Sequence, residues 1–250
     1  MHPYLTVFSL KIPSYSLFAL LGCIFSYILF ILLIKKRREI CLFHANILFL
    51  LSLLCGFLGS KLLYIIVEAD YFISSGNFTE ALTKGGFVFY GGLIFAMLFC
   101  HIYCKNNNIP AFSFFDAAAP SVCLGQAFGR IGCFFAGCCY GKETSSFLGV
   151  KFPYGGASGL SSVFPVQLFE SAFLFILCAV LIFLFLKKYN KGVCSYAYLF
   201  SYGIWRFFIE FLRADDRGSV LFFSTSQIIS LLIIAISLYT LCKAKSRRIV

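Results

Sequence analysis

Charged residues are scarce in this 250-residue chain. They make up 12% of the sequence, and only 10 of them are acidic, whereas charged side chains supply about a quarter of a typical soluble domain. Histidine occurs only three times, while hydrophobic residues account for 60% of the chain and phenylalanine alone occurs 33 times. The mean hydropathy of +0.91 is that of a chain whose natural solvent is a bilayer. The composition excludes an ordinary soluble domain and predicts an integral membrane protein.

The net charge of +11 does not indicate nucleic-acid binding, because of where the basic residues stand. They cluster directly after apolar runs, as they do at the cytoplasmic ends of membrane spans, where they contact anionic lipid headgroups. The expected partners are therefore a membrane and its lipids, with no nucleic acid. The three clusters are Lys35, Lys36, Arg37 and Arg38; Lys187, Lys188 and Lys191; and Lys243, Lys245, Arg247 and Arg248.

No cleavable signal peptide, internal repeat or soluble domain is recognisable in the sequence. The first apolar run ends in a basic cluster without an obvious small-residue cleavage site, so it is predicted to be a retained span. The 12 cysteines are dispersed, mostly inside apolar stretches. There they act as small hydrophobes, and they predict no disulfide framework.

Three cysteines are nevertheless clustered, at positions 133, 138 and 139. Small residues packed against glycine are one interpretation, a nucleophilic thiolate is a second, and a redox pair of Cys133 with Cys138 or Cys139 is a third. Three thiols without an obvious fourth ligand do not make a standard zinc site. Neither a metal nor another cofactor is therefore expected.

Seven apolar segments approach the length of about 20 residues that a membrane-spanning helix needs. If they alternate in direction, the basic clusters fall on one side, and the positive-inside rule then puts the N-terminus outside and the C-terminus in the cytoplasm. The predicted fold class is an all-α integral membrane protein with about seven transmembrane helices. The segments are 15–34, 42–66, 87–103, 112–128, 166–186, 195–212 and 221–241.

The fourth segment is the weakest of the seven, because Asp116 and Pro120 interrupt it. Without it the chain has six spans, both ends share one side, and one basic cluster falls outside. The external loops are expected at 68–86, 131–165 and 214–220, with the loop at 131–165 covering a site. Residues 1–250 are predicted to form one membrane domain.

Charged side chains recur along one predicted helix near the end of the chain. Tyr202, Arg206, Glu210 and Arg213 are spaced by four, four and three residues, which places them on one helical face. An arginine near the centre of a span costs about 2.5–3.5 kcal/mol on insertion scales, so this face must meet protein or a wet cavity. Either Arg206 and Glu210 pair and only join helices, or the excess cation binds an anionic ligand.

A second polar line, formed by Asp116, Gln126 and Arg130, leads into a glycine-rich segment. Glycine permits close helix packing, or an unwound backbone beside a ligand. Because the guanidinium fork is well shaped for phosphate, Arg130 and Arg206 on separate helices predict a phosphate clamp. The glycines of this segment are Gly129, Gly132, Gly137 and Gly141.

Two smaller groups complete the set of candidates. Tyr90 stands between two glycine pairs at the start of the third predicted span, where a tyrosine is either an interfacial anchor or part of a site. Gln167 and Glu170 form a polar pair inside an apolar run. They either support a site or hydrogen-bond to neighbouring helices.

Together these motifs resemble the bacterial prolipoprotein diacylglyceryl transferase family over nearly the whole chain. Residues 129–141 are similar to its signature Gly-Arg-x-Gly-Asn-Phe-x-Asn-x-Glu-x-x-Gly, and Pro-Val-Gln-Leu-Phe-Glu at 165–170 resembles its Pro-Ser-Gln-Leu-Tyr-Glu. Residues 202–213 fit the late-helix motif of the family. Tyr15 looks like its N-terminal tyrosine, and Gly-Ser-Lys-Leu-Leu-Tyr at 59–64 is similar to its Gly-x-Arg-x-x-Tyr.

The resemblance implies a seven-span enzyme of the bacterial inner (plasma) membrane. Such an enzyme moves the diacylglyceryl group of phosphatidylglycerol, or of a similar anionic phospholipid, onto the lipobox cysteine thiol of a prolipoprotein and releases glycerol phosphate. By this resemblance Arg130 and Arg206 hold the phosphate and stabilise the leaving group, and Tyr90 is the third catalytic candidate. The implied substrate-binding and supporting residues are Tyr15, Gly91, Gly92, Gly129, Gly132, Cys133, Cys138, Gly141, Gln167, Glu170, Tyr202, Glu210 and Arg213.

The sequence also departs from the family pattern. Tyr90 stands where the family has the histidine of His-Gly-Gly-Leu, and a tyrosine with an ordinary pKa near 10 is a poor base at neutral pH. Cys133, Ala136 and Cys138 replace the two asparagines and the glutamate of the signature. The phosphate clamp is expected to be retained within an altered site. The alternatives are a relative with another acceptor or lipid, and an inactive lipid-binding protein.

Overall fold

Helices form most of the protein. The computed structural model describes residues 3–7, 10–75, 87–154, 159, 162–187, 190–214, 219–220 and 223–246. The helices are α1 (Ser14–Arg37), α2 (Leu42–Val67), α3 (Ala69–Ser75), α4 (Phe89–Asn106), α5 (Ala111–Ala136), α6 (Val166–Leu186), α7 (Val193–Ile209) and α8 (Thr225–Ser246), and a 3-10 turn at Glu210–Leu212 follows α7.

Two short antiparallel hairpins accompany the helices. β1 (Tyr4–Val7) pairs with β2 (Leu10–Pro13) directly before α1, with Tyr4 opposite Pro13. β3 (Ser219–Val220) pairs with β4 (Phe223–Ser224) directly before α8. The last helix therefore begins at Thr225, slightly later than the predicted start of the seventh span.

The apolar segments predicted from the sequence all overlap helices. Among the described residues, α1, α2 and α6 are long and apolar enough to cross a membrane, and α8 contributes a shorter apolar stretch, Ser226–Thr240. The all-α class is thereby confirmed. The count of seven spans and the orientation of the two ends stay predictions.

The fourth predicted span is where the structure differs most from the expectation. Asp116 and Pro120 do not interrupt α5, which continues past residue 131 to Ala136. It stops where Gly137 adopts a left-handed φ of 69°, a conformation that favours glycine and commonly closes a helix. The segment 131–165, predicted as an external loop, is therefore helical as far as 136. Apolar residues such as Phe134 and Phe135 extend the helix up to that glycine.

The chain divides into two compact units, one of residues 1–32 with 115–250 and the other of residues 33–114. In the second unit, α2 and α4 pack through glycines. A Cβ added at Gly59 would lie 2.5 Å from Phe95 Cβ and 2.7 Å from Gly91 O, and one added at Gly92 would lie 2.6 Å from Gly56 O. The missing side chains let the two backbones approach each other. The single domain expected from the sequence stays a prediction.

The core of the first unit lies between α5 and α6. Cys123 and Ala127 of α5 are fully buried against Leu174 and Leu181 of α6, and aromatic side chains of α7 pack onto the same cluster. This packing sets α5, α6 and α7 side by side. They are the helices that carry Arg130, Glu170 and Arg206.

Asp116 has a structural role at the start of α7. Its buried carboxylate accepts hydrogen bonds from the backbone N–H of Gly192 at 2.7 Å, the N–H of Ser195 at 2.9 Å and the hydroxyl of Ser195 at 2.7 Å. The first N–H groups of a helix have no partner within the helix. A carboxylate from α5 thus caps α7 in place of a local side chain, which accounts for a charge inside an apolar segment.

Candidate active site

The polar face predicted on the late helix exists, but it runs across a change in helix type. Arg206 lies on the last regular turn of α7, Glu210 opens the 3-10 turn, and Arg213 follows it. Arg206 Nη2 lies 2.8 Å from Glu210 Oε2. The Ser224 hydroxyl donates a hydrogen bond of 3.1 Å to the other oxygen of Glu210. Arg206 and Arg213 are both buried, so this charge lies inside the protein.

One guanidinium nitrogen of Arg206 is left over. Its Nη1 is buried and has no hydrogen-bond partner among the described residues. A buried donor without a partner costs about 1–3 kcal/mol. The pair with Glu210 therefore does not satisfy the whole guanidinium group, which retains a donor at Nη1.

Arg130 takes part in a second buried network that joins three helices. Its Nε lies 3.0 Å from Glu170 Oε2, and the Tyr202 hydroxyl donates a hydrogen bond of 3.1 Å to Glu170 Oε1. Glu170 is fully buried, while about a fifth of the Arg130 side chain is exposed. Tyr202 lies within electrostatic range of both Arg130 and Arg206. The charges of both predicted clamp arginines therefore reach one tyrosine.

A further tyrosine, Tyr198, belongs to this network, although it was not predicted from the sequence. Tyr198 donates a hydrogen bond of 2.7 Å to Gln126 Oε1, and its ring stacks with that of Tyr202, with the ring centroids 5.8 Å apart. It stands four residues before Tyr202, so the helical spacing that revealed Arg206 and Glu210 also contained this signal. Ser224 offered no such signal, because it reaches Glu210 from β4 through tertiary structure alone.

The loop after α5 is anchored against the ends of α6 and α7. Gly141 N donates to Phe164 O at 2.9 Å, and Lys142 N donates to Leu212 O at 2.8 Å. A Cβ at Gly141 would lie 2.6 Å from Val166 Cγ2, so only glycine fits this crossing without a shift. Gly141 also forms a β-bridge with Arg213. The glycine motif and the late-helix motif are thereby brought into contact.

The other glycines of the motif differ in their surroundings. A Cβ at Gly132 would meet the backbone of Tyr15 at 3.3 Å, which shows that α5 approaches the first turn of α1 there. A Cβ at Gly129 would meet nothing within 4 Å among the described residues. Close packing therefore explains Gly132 but not Gly129. Tyr15 itself is half-exposed beside Gly132.

Gln167 connects α6 to the cysteine segment. Its Nε2 donates a hydrogen bond of 2.7 Å to Cys138 O, while its buried Oε1 has no partner in the described part of the chain. The sulfur atoms of Cys133, Cys138 and Cys139 all lie within 4.8 Å of one another. Hydrogen bonds with the Cys133 and Cys138 thiols and, after these, the charge of Arg213 lower the pKa of the Cys139 thiol.

The remaining catalytic candidate belongs to the second unit. The backbone of Tyr90 lies in the first turn of α4, but its side chain is outside the described residues. Gly91 and Gly92 face the glycines of α2, where the O atom of Gly59 or Gly56 occupies the space of a side chain. Helix packing is thus the contact observed for both glycines. Their predicted substrate-binding role, like that of Tyr90 in catalysis, stays a prediction.

Sequence similarity decides the family. The family model described as prolipoprotein diacylglyceryl transferase matches residues 3–243. The chain belongs to this family. A phosphatidylglycerol-prolipoprotein diacylglyceryl transferase of Clostridium tetani is 39% identical over 238 residues, 93% of each chain. A phosphatidylglycerol-prolipoprotein diacylglyceryl transferase 2 of Clostridium perfringens is 39% identical over 247 residues, 97% of this chain and 95% of the relative. A transferase of that name from Clostridium botulinum is 34% identical over 198 residues, 77% of each chain.

The resemblance inferred from separate motifs is therefore confirmed along most of the chain. A prolipoprotein diacylglyceryl transferase is a transferase of lipoprotein biosynthesis, and the relatives named here are bacterial. The roles of individual residues in this protein stay predictions.

Proposed function

We propose that this protein transfers the diacylglyceryl group of phosphatidylglycerol to the lipobox cysteine thiol of prolipoproteins in the bacterial inner membrane. In this reaction the sulfur attacks the glyceryl carbon that carries the phosphate. A C–S bond forms and the C–O bond to phosphate breaks. The thiol proton passes to water, and glycerol phosphate departs with the electrons of the C–O bond. The step needs groups that stabilise negative charge on the departing phosphate.

The observation that carries the proposal is the buried guanidinium group of Arg206. Glu210 engages its Nη2, and its Nη1 has no hydrogen-bond partner in the described residues. A phosphate oxygen is a strong acceptor for such a donor. In a low-dielectric site the interaction grows as charge develops on the leaving group, and so it favours the transition state.

Arg130 is proposed as the second cation of the phosphate site. Glu170 and Tyr202 orient its guanidinium group, and its partial exposure leaves it accessible to a lipid headgroup. Glu210 pairs with Arg206 at the end of α7, and Arg213 forms the bridge to Gly141. Tyr90 is proposed to act in catalysis. The proposed lipid-contacting or supporting residues are Tyr15, Gly91, Gly92, Gly129, Gly132, Cys133, Cys138, Gln167 and Glu170.

The proposed topology follows from charge placement. Seven spans, with the N-terminus outside and the C-terminus in the cytoplasm, put the basic clusters at the C-terminal ends of α1, α6 and α8 on the cytoplasmic side. The segment from Gly137 to Pro165 is then external, and its anchoring at Gly141 places it next to Arg213. In this arrangement the loop covers the site from the side on which prolipoproteins are exposed.

A second candidate function is supported by the altered motif positions. Tyr90, Cys133 and Cys138 stand where the family pattern has histidine, asparagine and glutamate. These differences are expected in a family member that uses another acceptor or another lipid, or that binds lipid without transferring it. Such a protein would still retain Arg130 and Arg206.

The release of glycerol phosphate from liposomes separates these functions. Purified protein is placed in phosphatidylglycerol liposomes with a lipobox peptide, and in parallel with the same peptide carrying serine for cysteine. Release that requires the cysteine peptide and is lost in phosphatidylcholine liposomes supports the proposal. Lipid binding without release by folded protein supports the inactive alternative, and release without a cysteine peptide indicates another acceptor.

A further inference from the structure

The cysteine cluster has the shape of a metal site, although the sequence did not predict one. The three sulfur atoms of Cys133, Cys138 and Cys139 lie within 4.8 Å of one another. In a tetrahedral site with zinc–sulfur bonds of about 2.3 Å, neighbouring sulfurs are about 3.8 Å apart. The thiols therefore need to move by only about 1 Å to coordinate one ion.

The backbone directs these thiols toward one another. Cys133 lies on the last turns of α5, and Cys138 N donates a hydrogen bond of 3.1 Å back to Cys133 O. Cys139 has a left-handed φ of 60°, a conformation that costs a non-glycine residue on the order of 1–3 kcal/mol and tends to occur at functional sites. The hydrogen bond from Gln167 to Cys138 O holds the turn from the side of α6.

The thiols of other buried cysteines donate to backbone carbonyls, as the Cys138 thiol itself does to Cys133 O at 3.7 Å. The Cys123 thiol donates to Leu174 O at 3.1 Å, and the Cys178 thiol donates to Pro120 O at 3.3 Å. Each satisfies a single helix carbonyl and acts as a small core residue. Within the described residues, no other group of three or more histidine, cysteine or acidic side chains converges in this way.

The surrounding charge suits a thiolate-bound divalent ion. Three thiolates and one divalent cation carry a net charge of about −1, because each ligand must be deprotonated to bind. Arg130 and Arg213 lie within electrostatic range of Cys139. Their positive charges offset the net negative charge of such a site. A disulfide would use two of the thiols and leave the third without a role.

We propose that Cys133, Cys138 and Cys139 bind one thiophilic divalent cation, with Zn²⁺ as the expected ion, and leave a fourth coordination position open for the acceptor thiol. The second part rests on the proposed transferase function. No fourth histidine, cysteine or acidic ligand completes the group among the described residues, and an open position is the mark of a catalytic rather than a structural zinc site.

Coordination would prepare the acceptor for transfer without any change in oxidation state. The thiol loses its proton to water on binding the metal, because a coordinated thiol is deprotonated. The bound thiolate then forms the C–S bond to the glyceryl carbon. The bond between this carbon and the phosphate oxygen breaks, and glycerol phosphate leaves with its electrons. Electrons and charge balance, and no oxidant or reductant is needed.

Metal content tests the first part of the proposal without any activity assay. The protein is purified without metal-affinity chromatography, incubated with Zn²⁺, desalted and measured for metal and thiols. We expect about one ion per chain, and less than about a tenth of that in Cys133→Ser, Cys138→Ser and Cys139→Ser. Cys23→Ser, which changes an exposed cysteine of α1, is the matched control and should bind as the unchanged protein does.

Cys138→Ser and Cys139→Ser change partly exposed loop residues, so they keep the test valid if Cys133→Ser fails to fold. Equal metal in these variants shows an adventitious ion and overturns the proposal. So does a chain that binds no metal, or one in which two of the three cysteines are isolated as a disulfide.

Cobalt spectra test the open position. In the Co²⁺-loaded protein, the lipobox peptide should shift the thiolate-to-cobalt absorption, and the serine peptide should not. An unchanged spectrum with bound cobalt overturns the acceptor role. Glycerol phosphate release in metal-free protein, equal to that of the loaded protein, also overturns this role and leaves the proposed transfer reaction intact. If the metal-loaded protein releases no glycerol phosphate, the transferase function is contradicted and the acceptor role falls with it, whereas the metal site itself stands.

Discussion

Replacing Arg206 with lysine separates a phosphate-binding arginine from one that only joins helix turns. Arg206 uses Nη2 for Glu210 at 2.8 Å and leaves Nη1 without a partner in the described residues. The single ammonium group of lysine would remain with Glu210, so the pair persists and the spare donor is lost. A hydrogen bond to a charged group contributes about 1.5–3 kcal/mol, which corresponds to a loss of about 10- to 100-fold in kcat/KM.

The assay is the initial rate of peptide lipidation in phosphatidylglycerol liposomes. Thermal unfolding in detergent is the control for folding. The free energy of unfolding should change by no more than about 1 kcal/mol, because the buried charge of Glu210 stays paired. A folded Arg206→Lys protein with activity within about threefold of the unchanged protein would show that Arg206 only joins the turns. Arg206→Gln should lose more activity and also stability, since it leaves Glu210 without its cation.

Further predictions concern packing, capping and thiol reactivity. In a melting experiment, Gly59→Ala should lower the free energy of unfolding by about 1–3 kcal/mol, because the new Cβ overlaps Phe95. Gly129→Ala, at an open position, should change the free energy of unfolding by less than about 1 kcal/mol in the same experiment. Asp116→Ala should destabilise the protein by about 1–3 kcal/mol, because three donors at the start of α7 lose their acceptor. The rate of amide hydrogen exchange at the start of α7 should rise, and an unchanged rate would contradict the capping role. In metal-free protein, the lowered pKa of Cys139 keeps its thiolate populated as pH falls, so alkylation at about pH 7 should be faster at Cys139 than at exposed Cys41. Equal alkylation rates at Cys139 and Cys41 would contradict the lowered pKa of Cys139 in the cysteine cluster.

The fold could be predicted from the sequence wherever a long apolar run determined a helix. The prediction of a span at 166–186 has the observed bounds of α6, because every residue from Ala172 to Leu186 is apolar. The end of α5 was missed, since polar and glycine residues after Phe128 suggested a loop, whereas Gly137 with its left-handed φ is the actual stop. The β3–β4 hairpin was not predicted, because such short strands carry almost no periodic signal.

The candidate site could be predicted in composition but not in its pairings. Spacing placed Arg206 and Glu210 on one face, and the structure brings them together. The partner of Arg130 is Glu170, which lies on another helix, and no local pattern could reveal that contact. Likewise, the convergence of Cys138 and Cys139 on Cys133 depends on how the chain turns after Gly137. Long-range contacts of this kind follow from packing rather than from spacing along the chain.

The mass of a lipobox peptide after incubation with isotope-labelled lipid gives the most direct test of diacylglyceryl transfer to the cysteine. The purified protein is supplied with phosphatidylglycerol deuterated in its acyl chains, and the peptide is analysed by mass spectrometry. We expect the cysteine to gain one deuterated diacylglyceryl group, without phosphorus, and we expect no such gain with Arg206→Gln. An unchanged peptide mass from folded, lipid-bound protein, or an adduct that retains the phosphate, would contradict it.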